Sequence, residues 1–139
     1  MRRADGRRPD GVDDATVEAV GVLTEALETT ERARGHLFSF HQLTGSADAK
    51  AQDAARLLRE AGHGDLADRL EAHLVGRNVV HGRWTFQLVE EYDDDYYRCF
   101  RDWERTVREE LLGGVRHVYE SEMKERNTTP GAPGHELNP

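Results

Sequence analysis

Apolar residues recur at intervals of three and four along most of the chain, the spacing typical of amphipathic α-helices. In the first half this spacing continues to Leu43 through Val20, Leu23, Leu27, Leu37 and Phe40. In the second half a regular stripe runs through Val89, Tyr92, Tyr96, Phe100, Trp103, Val107 and Leu111. The pattern therefore predicts two long helices, over about 14–43 and 84–112, each with one buried face.

Glycine and small polar residues divide the rest of the chain. The Thr44-Gly45-Ser46 segment predicts the end of the first long helix, and Gly62-His63-Gly64 predicts a turn between two short helices. Gly113-Gly114 interrupts the second long helix. We predict an all-α fold, an antiparallel helical bundle of two long helices (about 14–43 and 84–112) with a short helical hairpin (47–75) and a short C-terminal helix.

Three regions follow from this pattern. Residues 1–12 lack apolar periodicity and carry four arginines, which predicts a disordered basic arm. Residues 13–126 form a single helical-bundle domain, and residues 127–139 form a disordered Pro/Gly-rich tail. The hairpin covers only part of the long helices, so the part near Val20 and Val107 needs the short C-terminal helix or a second copy, which suggests a homodimer.

Charge and cysteine content narrow the possible functions. A formal net charge of -8 argues against a nucleic-acid binder that works by neutralising phosphates. The chain has no apolar run long enough to span a membrane, and the lone Cys99 excludes an internal disulfide framework. We therefore expect an acidic, soluble, cytoplasmic protein without nucleic-acid or membrane partners.

Polar residues interrupt the apolar stripe of the first long helix at Thr30, Arg34 and His41. Antiparallel pairing with His41 near Phe86 brings Arg34 close to Tyr92 and Asp93, within an acidic run. Two interpretations stay open. In the first, Arg34 forms an ion pair with Glu91 or Asp95 at the edge of the stripe. In the second, these residues line a small polar pocket between the two long helices.

The loop before the second long helix is basic in an otherwise acidic chain. It carries Arg77, His81 and Arg83 and lies at a helix N-terminus, where free N–H groups favour an anion. Trp84 is placed to stack on a flat ligand; alternatively, the arginines bind neighbouring carboxylates and Trp84 covers the end of the bundle. The candidate ligand-binding residues are Arg34, His41, Arg77, His81, Arg83, Trp84, Glu91, Tyr92 and Asp95.

Carboxylate pairs suggest a different function. The segments Glu28-Thr29-Thr30-Glu31 and Glu91-Tyr92-Asp93-Asp94 resemble the short patterns that hold Mg²⁺ in all-α nucleotide pyrophosphohydrolases. No catalytic triad, phosphate-binding glycine loop or bundle metal motif accompanies them, so we assign no catalytic residue, metal ligand or cofactor. The sequence favours a non-enzymatic helical protein that acts through a protein partner or a small anionic ligand, with the Mg²⁺-dependent enzyme as the alternative.

Overall fold

The computed structural model describes residues 6–137, and every regular element in that range is helical. The all-α prediction is confirmed. The elements are α1 (Asp14–Glu60), α2 (Gly64–His73), α3 (Thr85–Tyr92), a π-helical segment (Asp93–Tyr97), α4 (Arg98–Leu112) and α5 (Val118–Asn127). Within residues 6–137, no helix combines the length and apolarity needed to cross a membrane.

The chain forms two compact units. Unit 1 combines the chain up to Thr30 with the chain from Arg98 onward, and unit 2 is the continuous segment Glu31–Tyr97. The helical-bundle domain predicted for 13–126 has residues in both units. Unit 1 is discontinuous in sequence, whereas unit 2 is made from one stretch of chain.

Helix α1 is longer than predicted. It continues without interruption through Thr44, Gly45 and Ser46, where the sequence predicts a break, so the prediction of a helix ending at 43 is wrong. Gly45 does not adopt the positive φ of a helix-ending glycine. A glycine inside a helix costs only about 1 kcal/mol relative to alanine, which tertiary packing readily offsets.

The end of α1 does follow the sequence signal at Gly62. Gly62 has a φ of 92°, its N–H donates to the Arg59 carbonyl at 3.0 Å, and the His63 N–H donates to the Leu58 carbonyl at 2.8 Å. These two bonds form a Schellman motif, which satisfies the last carbonyls of the helix. The chain therefore turns at Gly62, as the sequence predicts, but the helix before the turn is the final part of α1 and not a separate short helix.

Unit 1 contains a small apolar core made by three helices. Val17 and Val20 of α1 pack with Leu112 of α4 and Val118 of α5, and all four are buried. The Tyr119 side chain lies close to Gly21. It can do so because glycine has no Cβ; the side chain of a larger residue would occupy the same space. Helix α5 of the same chain thus covers the region near Val20 and Val107, so this region does not by itself require a second copy.

The start of the described chain packs against α5. The Arg8 guanidinium makes a bidentate pair with Glu122, at 2.8 and 2.9 Å, and also bonds Asp14 at 2.8 Å. Gly6 is buried against Ser121. Part of the arm predicted over 1–12 thus contacts α1 and α5; residues 1–5 lie outside the described range. The ion pair of Arg8 and the positive φ of Gly6 position this part of the arm, although residues 1–12 lack apolar periodicity.

Unit 2 buries little apolar surface. Among its described residues, the buried apolar side chains are Ala55, Ala67 and Val89. Charged contacts join α1 to α2: Arg59 contacts Asp68 at 2.7 Å and Glu71 at 2.5 Å. These exposed ion pairs contribute little stability each, because water screens them. Unit 2 therefore leaves many large apolar side chains in contact with solvent.

The π segment changes which residues face inward along the second long helical region. The sequence predicts one continuous stripe, but Tyr96, Trp103 and Leu111 of that stripe are exposed, Trp103 by 62%. Asp93, Tyr97 and Phe100 face inward more fully, and Glu104 and Leu112 are buried. A π turn inserts one extra residue, which rotates the following residues about the helix axis. The predicted stripe is therefore wrong at Tyr96, Trp103 and Leu111, whereas its Phe100 and Val107 are partly buried.

Candidate binding site

The basic loop is held in place by hydrogen bonds at both ends. The Asp48 carboxylate of α1 accepts the Gly76 N–H at 2.8 Å, and this bond lowers the pKa of Asp48 below its usual value. At the other end the Arg83 N–H donates to the Val80 carbonyl at 3.1 Å and closes a tight turn around Gly82, whose φ is 70°. The positive φ explains the glycine at this position.

Helix α3 starts immediately after the loop and contacts α1. The Trp84 N–H donates to the Gln87 side chain at 2.8 Å, which satisfies one free donor at the helix start. His41 Nδ1 lies 2.7 Å from the Thr85 hydroxyl oxygen, and the edge of the His41 ring faces Phe38. His41 therefore connects α1 to α3, as the predicted pairing of His41 with the region of Phe86 suggests.

Arg34 is paired rather than free to bind an anion. Its Nε and Nη2 donate to the two carboxylate oxygens of Asp93, at 2.6 and 2.9 Å. The guanidinium also lies over the Tyr97 ring, 5.7 Å from its centroid. The partner is Asp93, the first residue of the π segment, and not Glu91 or Asp95. The hydrogen bonds from Arg34 lower the pKa of Asp93.

The other acidic candidates have separate surroundings. Glu91 forms an ion pair with Arg83, so this arginine of the loop is neutralised within the chain. Asp95 is exposed, whereas Tyr92 is half-buried and its ring contacts Tyr96 and Tyr97. Burial raises the pKa of Tyr92 above its usual value. These contacts match the interpretation in which arginines of α1 and the loop bind neighbouring carboxylates.

Two candidates remain available at the loop surface. Arg77 and His81 are exposed, and within the part of the chain that the structure describes their side chains have no ion-pair or hydrogen-bond partner. The segment from Gly76 to Trp84 contains no acidic residue. Unlike Arg34 and Arg83, these side chains are free to meet a negatively charged group from outside.

Exposed apolar side chains occur in the same loop and in the helices that it contacts. Trp84 is 58% exposed and contacts Phe86, with 5.3 Å between ring centroids. Val79, Val80, Phe86 and Phe38 are exposed as well. We call the set Phe38, Arg77, Val79, Val80, His81, Trp84 and Phe86 the aromatic loop surface. Trp84 does not cover the end of the bundle as one prediction proposed; it points an apolar ring at solvent.

The carboxylates of the magnesium pattern do not gather at one point. Glu31 accepts a hydrogen bond from the Tyr97 hydroxyl, Glu91 pairs with Arg83, and Glu28 and Asp94 are exposed. Within residues 6–137, no three His, Cys, Asp or Glu side chains are close enough together to form a metal site. Two of these four carboxylates thus contact other side chains, and the other two are exposed to solvent.

Sequence reasoning missed two charged contacts. One is Asp93 as the partner of Arg34, although the predicted helix pairing already places these residues side by side. The other is in unit 1, where the buried Glu104 accepts hydrogen bonds from Thr24 and Arg108, both at 3.1 Å. The apolar stripe predicts that Trp103 faces inward. Because the π segment rotates the helix that follows it, the next residue, Glu104, faces inward instead.

Comparisons with protein-family models, curated proteins and solved structures give no match to this chain. The function must therefore be argued from the residues and contacts of the chain itself.

Proposed function

We propose that this chain is a non-enzymatic helical protein that binds an acidic segment of a protein partner on its aromatic loop surface. The observation that carries the proposal is the exposed Trp84, in contact with Phe86 and at the end of the loop that holds the unpaired Arg77 and His81. Tryptophan and arginine are the residues that most often dominate the energy of protein–protein interfaces. An apolar patch with a basic rim fits a segment that carries both apolar and acidic residues.

The partners of the basic side chains favour a polypeptide ligand over a small anion. Arg34 and Arg83 already have carboxylate partners, and the other two basic residues of the loop, Arg77 and His81, share it with exposed apolar side chains. A small anion would leave that apolar surface uncovered, whereas a peptide segment would cover it. No observation favours the Mg²⁺-dependent hydrolase, because its four carboxylates are bound elsewhere or point into solvent.

A photo-cross-linking amino acid at position 84 tests the proposal in the cells that make the protein. We expect adducts between this chain and a polypeptide at position 84, and a strong loss of these adducts when Arg77→Glu reverses one charge of the rim. The matched control places the same amino acid at Arg126, an exposed position of α5 in unit 1. Absence of adducts at 84, or equal labelling at 84 and 126, would contradict the proposal.

Binding to the captured segment is then measured with purified proteins. Because a buried tryptophan at an interface typically contributes 2 kcal/mol or more, Trp84→Ala should raise Kd by about 30-fold. Melting experiments address the other functions. Stabilisation by inorganic phosphate that Arg77→Ala abolishes would indicate a small-anion site, and nucleotide turnover with Mg²⁺ or Mn²⁺ would indicate the hydrolase.

A further inference from the structure

A second apolar surface runs along α1 within unit 2. Phe40, Leu43, Ala47, Ala54 and Leu57 are all exposed, Leu43 by 70% and Leu57 by 53%. Their intervals alternate between four and three residues, with Lys50 at the one polar position of the series. This is the heptad spacing of the contact positions in a coiled coil. We call these six residues the α1 seam.

The α1 seam lies on a different face of the helix from the contacts within unit 2. Those contacts use Arg34, His41 and Asp48, which bond to α3, the π segment and the loop, and Ala55, which is fully buried. At 100° per residue, these four residues cluster on one side of α1, whereas the centre of the α1 seam lies roughly 140° away from them. Within residues 6–137 the side chains of the seam are therefore open to solvent.

The solvent-accessible surface of the chain is larger than expected for a compact protein of its mass. The chain exposes 10557 Å². Area scaling gives about 7,300 Å² for a compact monomer of 15.8 kDa, and about 8,800 Å² for two separately compact halves. The excess over two separate halves is thus about 1,700 Å². This excess is distributed over many exposed side chains, and the large apolar residues of the seam, Phe40, Leu43 and Leu57, are among them. Large permanent interfaces remove roughly 1,000–2,500 Å² from each partner, so the chain has surface to spare for a dimer contact.

We propose that the α1 seam binds the α1 seam of a second copy, with the two helices antiparallel. In this arrangement Phe40 faces Leu57, Leu43 faces Ala54, and Ala47 faces Lys50 of the other chain. Each large side chain of the central pairs meets a small one, which allows the helices to approach closely. The seam extends over 18 residues, or about 27 Å at 1.5 Å per residue.

Charge selects the antiparallel orientation. A parallel, in-register pair would place the two Lys50 ammonium groups opposite each other in an apolar seam, which is unfavourable. In the antiparallel pair each Lys50 meets Ala47. The flanking acids Asp53 and Glu60 then lie opposite Ser46 and Ser39 of the other chain, so they face hydroxyl groups instead of carboxylates. This contact goes beyond the proposed function and uses a separate set of residues.

Sedimentation of the full chain between about 1 and 100 μM tests the dimer. We expect a mass of twice 15.8 kDa for the wild type and a shift to monomer, with the dimer Kd weakened by at least 100-fold, for Leu43→Glu and for Leu57→Glu. Both positions point into solvent, so circular dichroism should show unchanged helix content. The control Val22→Glu changes an equally exposed residue of α1 in unit 1 and should leave the dimer intact.

Disulfide trapping tests the orientation in a Cys99→Ser background. A mixture of Leu43→Cys and Ala54→Cys chains should form the mixed cross-link, because these positions face each other only in the antiparallel dimer. Ala54→Cys alone should not cross-link, since the two copies of residue 54 would be about 16 Å apart along the helix. A monomeric wild type, a dimer that survives both glutamate variants, or cross-linking of Ala54→Cys alone would overturn the proposal.

Discussion

The Arg34–Asp93 ion pair satisfies, within the chain, one of the charges predicted to bind a ligand. Both side chains are about one-third exposed, and the guanidinium fork matches the carboxylate in a bidentate arrangement. An arginine in an apolar stripe is often interpreted as a sign of a ligand pocket. Here it is satisfied by a residue of the same chain, and the bases left for a partner are Arg77 and His81.

The pair makes stability depend on pH in a defined direction. The hydrogen bonds from Arg34 lower the pKa of Asp93 in the folded protein, so the unfolded chain binds a proton first as the pH falls. The contribution of Asp93 is complete above the ordinary aspartate pKa of about 3.9 and disappears as the pH falls through the lower folded value. Asp93→Asn should therefore cost about 1 kcal/mol at pH 7 and almost nothing near pH 2.

Urea unfolding of the wild type and Asp93→Asn at several pH values measures this difference. Asp65→Asn, at an exposed position of α2, is the control, and its difference from the wild type should stay small across the same range. A cost for Asp93→Asn that is constant from pH 7 to pH 2 would show that the Arg34 contact is absent in solution.

At the scale of secondary-structure elements, glycine has a different structural role at each of three positions in or next to α1. Gly45 lies within the exposed helix and an added Cβ would meet nothing within 4 Å, whereas a Cβ on the buried Gly21 would lie 2.9 Å from the Tyr119 side chain. Gly62 ends the helix with a positive φ. The residue type alone is the same in all three cases, so the sequence does not distinguish a helix end from a helix interior or a close contact.

Alanine substitutions separate these roles. Gly45→Ala should raise the free energy of unfolding by about 1 kcal/mol, because it removes the entropic cost of glycine inside a helix. Gly21→Ala should lower it by about 1–3 kcal/mol, because Tyr119 must move. Denaturant titration of both variants measures these shifts. If Gly45→Ala destabilised the protein, α1 would end near residue 45, as the sequence predicted.

The helices also show how much of the fold and of the site could be predicted from the sequence. The helical spacing identified the all-α class, the turn at Gly62 and the pairing of His41 and Arg34 with the start of the second helical region. It did not identify the π segment, because Tyr96 and Trp103 continue the apolar spacing as though no residue were inserted. Nor could it show that Glu91 neutralises Arg83, since any of several neighbouring acids had the right spacing.

For the whole molecule, self-association through the α1 seam would couple stability to protein concentration. A dimer that unfolds to two chains is stabilised by mass action, so its melting temperature should rise by roughly 5 °C between about 1 and 100 μM. Leu43→Glu should melt at a temperature independent of concentration. Scanning calorimetry at both concentrations measures the shift, and a wild type without concentration dependence would argue against a dimer in which the two chains unfold together.

The discontinuity of unit 1 has a consequence for how the chain acquires its structure during synthesis. Arg8 and Glu122 are 114 positions apart, so this contact cannot form until Glu122 has left the ribosome. The contacts within Glu31–Tyr97 become available much earlier, but that segment buries few apolar side chains. A nascent chain therefore exposes the first part of α1, including Val17 and Val20, until α4 and α5 emerge. During that interval these residues are open to chaperones and to aggregation.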